Sequence, residues 1–438
     1  MTWVVLLACT AIFEASVLRR LRFDWFTIAI VLAGLVLCVD YLTYTSVSER
    51  NYDGAAHIAY IQAIAEHLRL PDVYACAACG HPPLYYALAA LWSRVVLIGG
   101  WMPLELGLQW FSLLLFFGFV VFSLLILRSV VTRSTTLWLA TALIVFWPSS
   151  IINSVRVHND ALASLLMLAA MYFTARWDTS DRARDFFAAL VAAALALLTK
   201  SSGYAVAATL VCFAVLRLLS EGFRRERVKQ CAVAVLLLAT VGALAVGFRE
   251  SRNPTTLCQK VLGHACDGRY VPPNPDTPGR LVHFDVATFV RRIETVPDDT
   301  FPNRLAKSSL FGVAPLEDEL RSERHEVLAA LISLLLLAMV AVCAAALPLV
   351  GTMHWRKYRA YVGAVVVLFV FLVAFRIRAP NEFHEDFRHV FPALVPLCLG
   401  YASVVERLGR FSSVLRYAGV ALGLSLVGAS VAFFVRIP

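Results

Sequence analysis

Three arginines crowd one short stretch, Arg376-Ile377-Arg378 through His384, Glu385, Asp386, Arg388 and His389. A guanidinium fork matches phosphate oxygens, so this stretch suits a clamp for an anionic lipid headgroup; a solvated turn is the plainer account. Lys200 stands in Leu198-Thr199-Lys200-Ser201-Ser202-Gly203. An ammonium among hydroxyls and a glycine also suits phosphate, and a lysine reaching toward headgroups explains it as well. In Tyr52-Asp53-Gly54-Ala55-Ala56-His57, Asp53 and His57 lie one turn apart if 54–67 is a helix. They then share a face with Tyr60 and Ile61, and capping is a compatible duty for Asp53. Asn159 and Asp160, in Arg156-Val157-His158-Asn159-Asp160, also stand where a helix would begin and cap. His81-Pro82-Pro83-Leu84-Tyr85-Tyr86 reads as a helix start, because proline is tolerated in a first turn. Its tyrosines suit a membrane interface.

The elements that must position these groups follow from composition. The chain has 438 residues, 60% hydrophobic and 16% charged. A soluble protein has about 25% charged residues; this chain cannot cover its surface with polar groups. Disorder, collagen, coiled coil and a small disulfide scaffold are excluded. Long continuous apolar runs argue against an outer-membrane barrel, whose strands alternate. The expected class is an all-α polytopic membrane protein.

A span needs about 20 mostly apolar residues. Twelve runs qualify: 1–17, 25–45, 105–127, 135–151, 159–175, 186–202, 203–219, 230–248, 326–350, 361–379, 389–404 and 417–436. The run 84–98 is shorter and is expected to lie on the outer face rather than cross. Basic residues support this assignment, because cytoplasmic loops collect Lys and Arg. The short loops 18–24, 128–134, 176–185, 217–229, 353–359 and 405–416 then hold 19 of the 39 Lys and Arg, and the short segments opposite hold 9. Every cluster described above falls on the outer side, as do both termini. The net charge of +9 comes largely from the inner loops and needs no nucleic acid partner. Residues 1–17 lack the basic start and cleavage site of a signal peptide and read as a span.

Residues 1–24 form a first span and basic turn. Residues 25–248 form a transmembrane core with a first outer loop at 46–104. A large outer loop occupies 249–325, helical around Val286–Glu294, and 326–438 carry the last spans. Cys9, Cys38, Cys212, Cys231, Cys343 and Cys398 fall in or near spans and read as small apolar fillers. Cys76, Cys79, Cys258 and Cys266 are outer and make two close pairs. They suit one or two disulfides in an oxidising compartment, with zinc the sharper reading of Cys76-Ala-Ala-Cys79. No Walker A, G-x-G-x-x-G or D-x-D triplet is present, and the inner loops are too short for a nucleotide-binding domain.

Taken in order, these clusters resemble the GT-C superfamily of integral membrane glycosyltransferases, in the branch of the protein O-mannosyltransferases and the lipid A aminoarabinose transferase. The resemblance rests on Tyr52-Asp53…His57…Tyr60…Leu70-Pro71, on His81-Pro82-Pro83-Leu84-Tyr85-Tyr86, on Asp160, on Leu198-Thr199-Lys200-Ser201-Ser202-Gly203 and on Arg388-His389-Val390-Phe391-Pro392. It covers roughly 25–405. The chain departs from the pattern in having Asp53-Gly54 where many members carry Asp-Glu, and in the extra span 1–17.

The resemblance implies a GT-C-like bundle of about 12 transmembrane helices with juxtamembrane helices at the outer face. It implies a sugar donor on a polyprenyl phosphate and a glycolipid, polysaccharide or protein acceptor. The implied setting is a bacterial inner membrane with the active site on the periplasmic side. Asp53 is then the general base and His57 and Asp160 its catalytic companions. Lys200, Arg376, Arg378, Arg388 and His389 face the donor phosphate, and Tyr52, His81, Tyr85, Tyr86 and Asn159 bind substrate. The resemblance names no certain cofactor and leaves a divalent metal open. A transporter or flippase of a lipid-linked or anionic glycan is the rival. Transporters place charges near the bilayer midplane and often show paired halves; here the charges gather at one face and no repeat is present.

Overall fold

The computed structural model describes residues 2–45, 53–100, 102–222, 225–252, 278–291, 293, 299–312, 320–346, 348, 355–378 and 386–436. Among them the regular structure is helical throughout. The order is α1 (Thr2–Arg20), α2 (Trp25–Tyr44), α3 (Gly54–His67), α4 (Leu84–Gly99), α5 (Leu104–Val130), α6 (Ser134–Val145), α7 (Pro148–Ser154), α8 (Asp160–Ser180), α9 (Ala183–Leu197), α10 (Gly203–Glu221) and α11 (Arg225–Arg252). Then follow α12 (Pro278–Val282), α13 (Val286–Arg291), α14 (Phe301–Phe311), α15 (Glu323–Ala345), α16 (Trp355–Arg378), a 3-10 segment (Phe387–Ala393), α17 (Leu394–Leu408) and α18 (Ser413–Phe434).

Eight described helical stretches are long and apolar enough to cross a membrane: α2, α5, α10, α11, α15, α16, the 3-10 segment continued by α17, and α18. The α6–α7 pair adds a ninth if counted as one span, bent by 57°. Pro148, at the first position of α7, ends the α6 helix there. The expected twelve are not reached by this measure. Helices α1, α8 and α9 do form on the remaining runs, but α9 is only 15 residues long. The run 186–202 leaves the helix at Leu198 and closes a turn, with Lys200 N donating to Ala196 O and Gly203 N to Lys200 O. A Cβ at Gly203 would lie 2.6 Å from the Ala196 carbonyl carbon, so the turn between α9 and α10 needs glycine there. Helix α4, on the run 84–98, packs against α3 and α5 in a satellite apolar cluster.

Charge is sorted to the two ends of the bundle. One end is tied by Asp178 to Arg359 at 2.5 Å, Asp181 to Arg217 at 3.3 Å and to Arg227, and Asp185 to Arg176 at 3.5 Å. These pairs join the ends of α8, α9, α10, α11 and α16 next to the short basic loops. The opposite end carries Asp53, Asp160, Lys200 and Arg388. Phe289 of α13 and Phe311 of α14 are buried there with Lys307.

Lys307 has a consequence for stability. Its ammonium donates to the Phe289 carbonyl, lies 4.7 Å from the centre of the Phe289 ring, and reaches Ser333 Oγ at 3.4 Å. Burial lowers its pKa to about 8, against a smaller opposing pull from Asp299. A lysine depressed in the folded state binds fewer protons folded than unfolded above that value, so stability rises with pH there. Below pH 8 the cost of the buried charge is fully present. Melting temperature is therefore expected to climb between about pH 8 and pH 10, and Lys307→Met to flatten the climb. An identical climb in the variant would assign it to other groups.

Candidate active site

Asp53 occupies the N-cap position of α3 with φ −111° and ψ 10°, yet its side chain makes no capping hydrogen bond. The carboxylate turns instead to other groups. His57 Nε2 lies 3.4 Å from Asp53 Oδ2, and Arg388 Nη1 lies 3.7 Å from the same oxygen. Burial alone would raise the Asp53 pKa, but the hydrogen bond and charge of His57 and the charge of Arg388 outweigh it and hold the carboxyl well below the usual range.

His57 is buried. Its Nδ1 meets the Tyr86 hydroxyl at 2.8 Å, and its ring stacks near those of His81 (6.1 Å) and Tyr86 (5.7 Å). The segment carrying His81 is stapled by a Cys76–Cys79 disulfide, one of the two close pairs among the outer cysteines. Tyr60 donates its hydroxyl to the His81 carbonyl at 3.4 Å, which fixes the segment on α3.

The first residue of α8 is Asp160, and it does not serve as a free cap either. Asn159 holds the cap position without a side-chain capping bond, and its amide donates to Thr199 O at 3.5 Å. Asp160 is committed to Lys200 Nζ at 2.5 Å, His158 Nδ1 at 3.4 Å and Arg388 Nε at 3.9 Å. Lys200 therefore does not reach out to headgroups. The tight turn after α9 aims it inward.

Arg388 links the two aspartates. The 3-10 segment that bears it is held by Phe387 N donating to Ser308 Oγ at 2.9 Å. Asp386 grips Arg388 twice, through Nε at 3.1 Å and through its backbone N–H at 2.9 Å. Sequence reasoning gave Asp386 no role; an acidic residue two before a candidate arginine was the available signal.

These groups surround a cavity of about 210 Å³. Asp53, His57, His81, Asn159, Lys200, Arg388 and His389 supply its polar wall, and Leu197, Tyr204, Ala245, Val246 and Phe375 its apolar wall. The contributions of Ala245, Val246 and Phe375 were missed, since nothing in an apolar run marks which residues face a cavity. Tyr85 and Tyr86, expected to bind substrate, are fully buried and stand outside the wall. They pack with Tyr60, whose ring centre is 3.9 Å from that of Tyr86. Arg376 is also fully buried and absent from the wall, and Arg378 is the last residue of α16. Tyr52, Cys258, Cys266, His384 and Glu385 lie outside the described residues. Among the described residues no group of three or more His, Cys, Asp and Glu is arranged to hold a metal ion.

No protein-family model matches the chain, and no curated protein does. Solved structures do. The chain is similar to ArnT from Cupriavidus metallidurans in the apo state, with TM-score 0.54 and 14% identity over 90% of this chain and 62% of that one. The same enzyme bound to undecaprenyl phosphate matches with TM-score 0.52 and 15% identity over the same shares. The archaeal oligosaccharyltransferase AglB from Archaeoglobus fulgidus, in complex with an inhibitory peptide and a dolichol-phosphate, matches with TM-score 0.52 and 14% identity over 94% of this chain and 56% of that one. The chain thus spans about six-tenths of the length of these proteins. Both are members of the GT-C superfamily, and at this identity what they share with the chain is the GT-C fold.

Proposed function

We propose that the chain moves a sugar from a polyprenyl-phosphate-linked donor to an acceptor hydroxyl, at the periplasmic face of a bacterial inner membrane, with Asp53 as general base. The observation that carries this reading is the division among the three carboxylates around Arg388. The Asp53 side chain is 41% exposed, whereas Asp160 and Asp386 are each 5% exposed and committed to cations. Asp53 is the carboxylate open to a reactant.

The reaction is a single displacement. The acceptor oxygen attacks the anomeric carbon and its proton passes to Asp53, which must lie within about 3 Å of it. The bond from the anomeric carbon to the phosphate oxygen breaks, and the phosphate leaves with the electron pair. Lys200 and Arg388 stand where they can stabilise that growing charge. Arg388 drawn onto the phosphate releases Asp53 from one of the groups that depress its pKa, so the base strengthens once the donor is seated. The apolar wall of Leu197, Ala245, Val246 and Phe375 suits the first isoprene units. The neighbours bound to undecaprenyl phosphate and dolichol-phosphate support a ligand of this class. The acceptor is a glycolipid, a polysaccharide or a protein.

Polyprenyl phosphate is expected to stabilise the protein in nanodiscs, by about 2.7 kcal/mol at a hundredfold excess over Kd. Polyprenol of the same length should not, and Arg388→Gln should abolish most of the effect. Equal stabilisation by both lipids would remove the phosphate site. Release of free polyprenyl phosphate during turnover separates transfer, which requires it, from transport, which does not.

A further inference from the structure

Tyr86 does not touch the cavity, yet its hydroxyl meets the ring nitrogen of His57 that faces away from Asp53. We propose that Tyr86 is a positioning residue whose hydroxyl donates to His57 Nδ1 and so fixes the imidazole tautomer that carries its proton on Nε2, toward the Asp53 carboxylate. The inference rests on Asp53 as base.

The chemistry follows from the two ends of the ring. A neutral imidazole has one N–H donor and one acceptor, and the partner of one nitrogen decides which is which. At 3.4 Å from Asp53 Oδ2, Nε2 must donate; a bare lone pair there would repel the carboxylate. Nδ1 must then accept, and a phenol O–H 2.8 Å away supplies the donor. Tyr86 is itself immobile. It is fully buried, stacked on Tyr60 at 3.9 Å and set edge-on to Tyr85 at 5.3 Å. The Asp53–His57–Tyr86 line thus runs from an exposed carboxylate to a fixed anchor.

The groups that bear on His57 come from four elements. Asp53 and Tyr60 belong to α3 and its cap, His81 to the disulfide-stapled segment, Tyr85 and Tyr86 to α4, and Arg388 to the 3-10 segment through Asp53. Lys200 and His389 line the same cavity. The group that meets Nδ1 is the Tyr86 hydroxyl, at 2.8 Å.

The test compares Tyr86→Phe with the parent protein in the transfer assay at pH 8, with Asp53→Asn alongside. Tyr86→Phe keeps the ring and its stacking. Its kcat should fall about 10- to 100-fold, the cost of losing the outer partner of a metal-held histidine, with KM within about twofold. In a His57→Gln background, where no tautomer exists to fix, Tyr86→Phe should cost no further activity. A loss equal in both backgrounds, or one carried by KM with kcat unchanged, would show a packing role and overturn the proposal. Parent-like activity of Tyr86→Phe beside an inactive Asp53→Asn would overturn it while leaving the base in place. An active Asp53→Asn would overturn the base itself.

Discussion

Asp53→Asn should lower turnover by about 10²- to 10⁴-fold, the span that a positioned general base contributes, and leave the protein folded and able to bind donor. The structure gives a reason for each part. The side chain is 41% exposed and caps nothing, so an isosteric amide costs little in folding. The negative charge is what receives the acceptor proton, and an amide cannot. Arg388 keeps its grip on Asp386 at 3.1 Å, so the phosphate site survives. The Asp53 pKa is depressed, so its contribution to stability is present above the unfolded value of about 3.9 and lost only as pH falls through the lower folded value. Between pH 8 and pH 5 the base stays ionised. Parent-like turnover of Asp53→Asn with every donor that the parent consumes would show that the base lies elsewhere.

Asp160→Asn should do the opposite, costing the fold before it costs the chemistry. Asp160 holds Lys200 at 2.5 Å and is 5% exposed. Removing one member of a buried pair strands the other, at about 3–5 kcal/mol. Yield and melting temperature should fall together. Replacing both members, Asp160→Leu with Lys200→Met, should recover much of the stability, since a buried pair exchanged for apolar residues is often neutral or better. Transfer should not return, because Lys200 also lines the cavity. A stable, active Asp160→Asn would contradict the buried pair; an active double variant would remove Lys200 from the phosphate site.

Much of this arrangement is written locally in the chain. The apolar runs place the helices, Pro82-Pro83 precedes the short α4, and the basic loops sort the ends. The Leu198–Gly203 stretch reads as a turn between two apolar runs, and it is one; what the run does not show is that its lysine is buried on Asp160. Tyr85-Tyr86 read as an interface pair. Both are buried instead, and no local pattern shows that the Tyr86 hydroxyl meets His57. The bridge from Asp53 through Arg388 to Asp160 joins residues that only the folded bundle brings together. Each was legible singly as a charge out of place at membrane depth; their partnership was not.

The most direct measurement of the central proposal is donor consumption. Purified protein in nanodiscs would be offered a panel of polyprenyl-phosphate sugars with an envelope extract as acceptor, and free polyprenyl phosphate counted by mass spectrometry. Release with at least one sugar, absent in Asp53→Asn, is the expected result and names the donor. No release from any sugar in the panel, with acceptor extract present and the protein folded, would contradict a glycosyltransferase and favour transport.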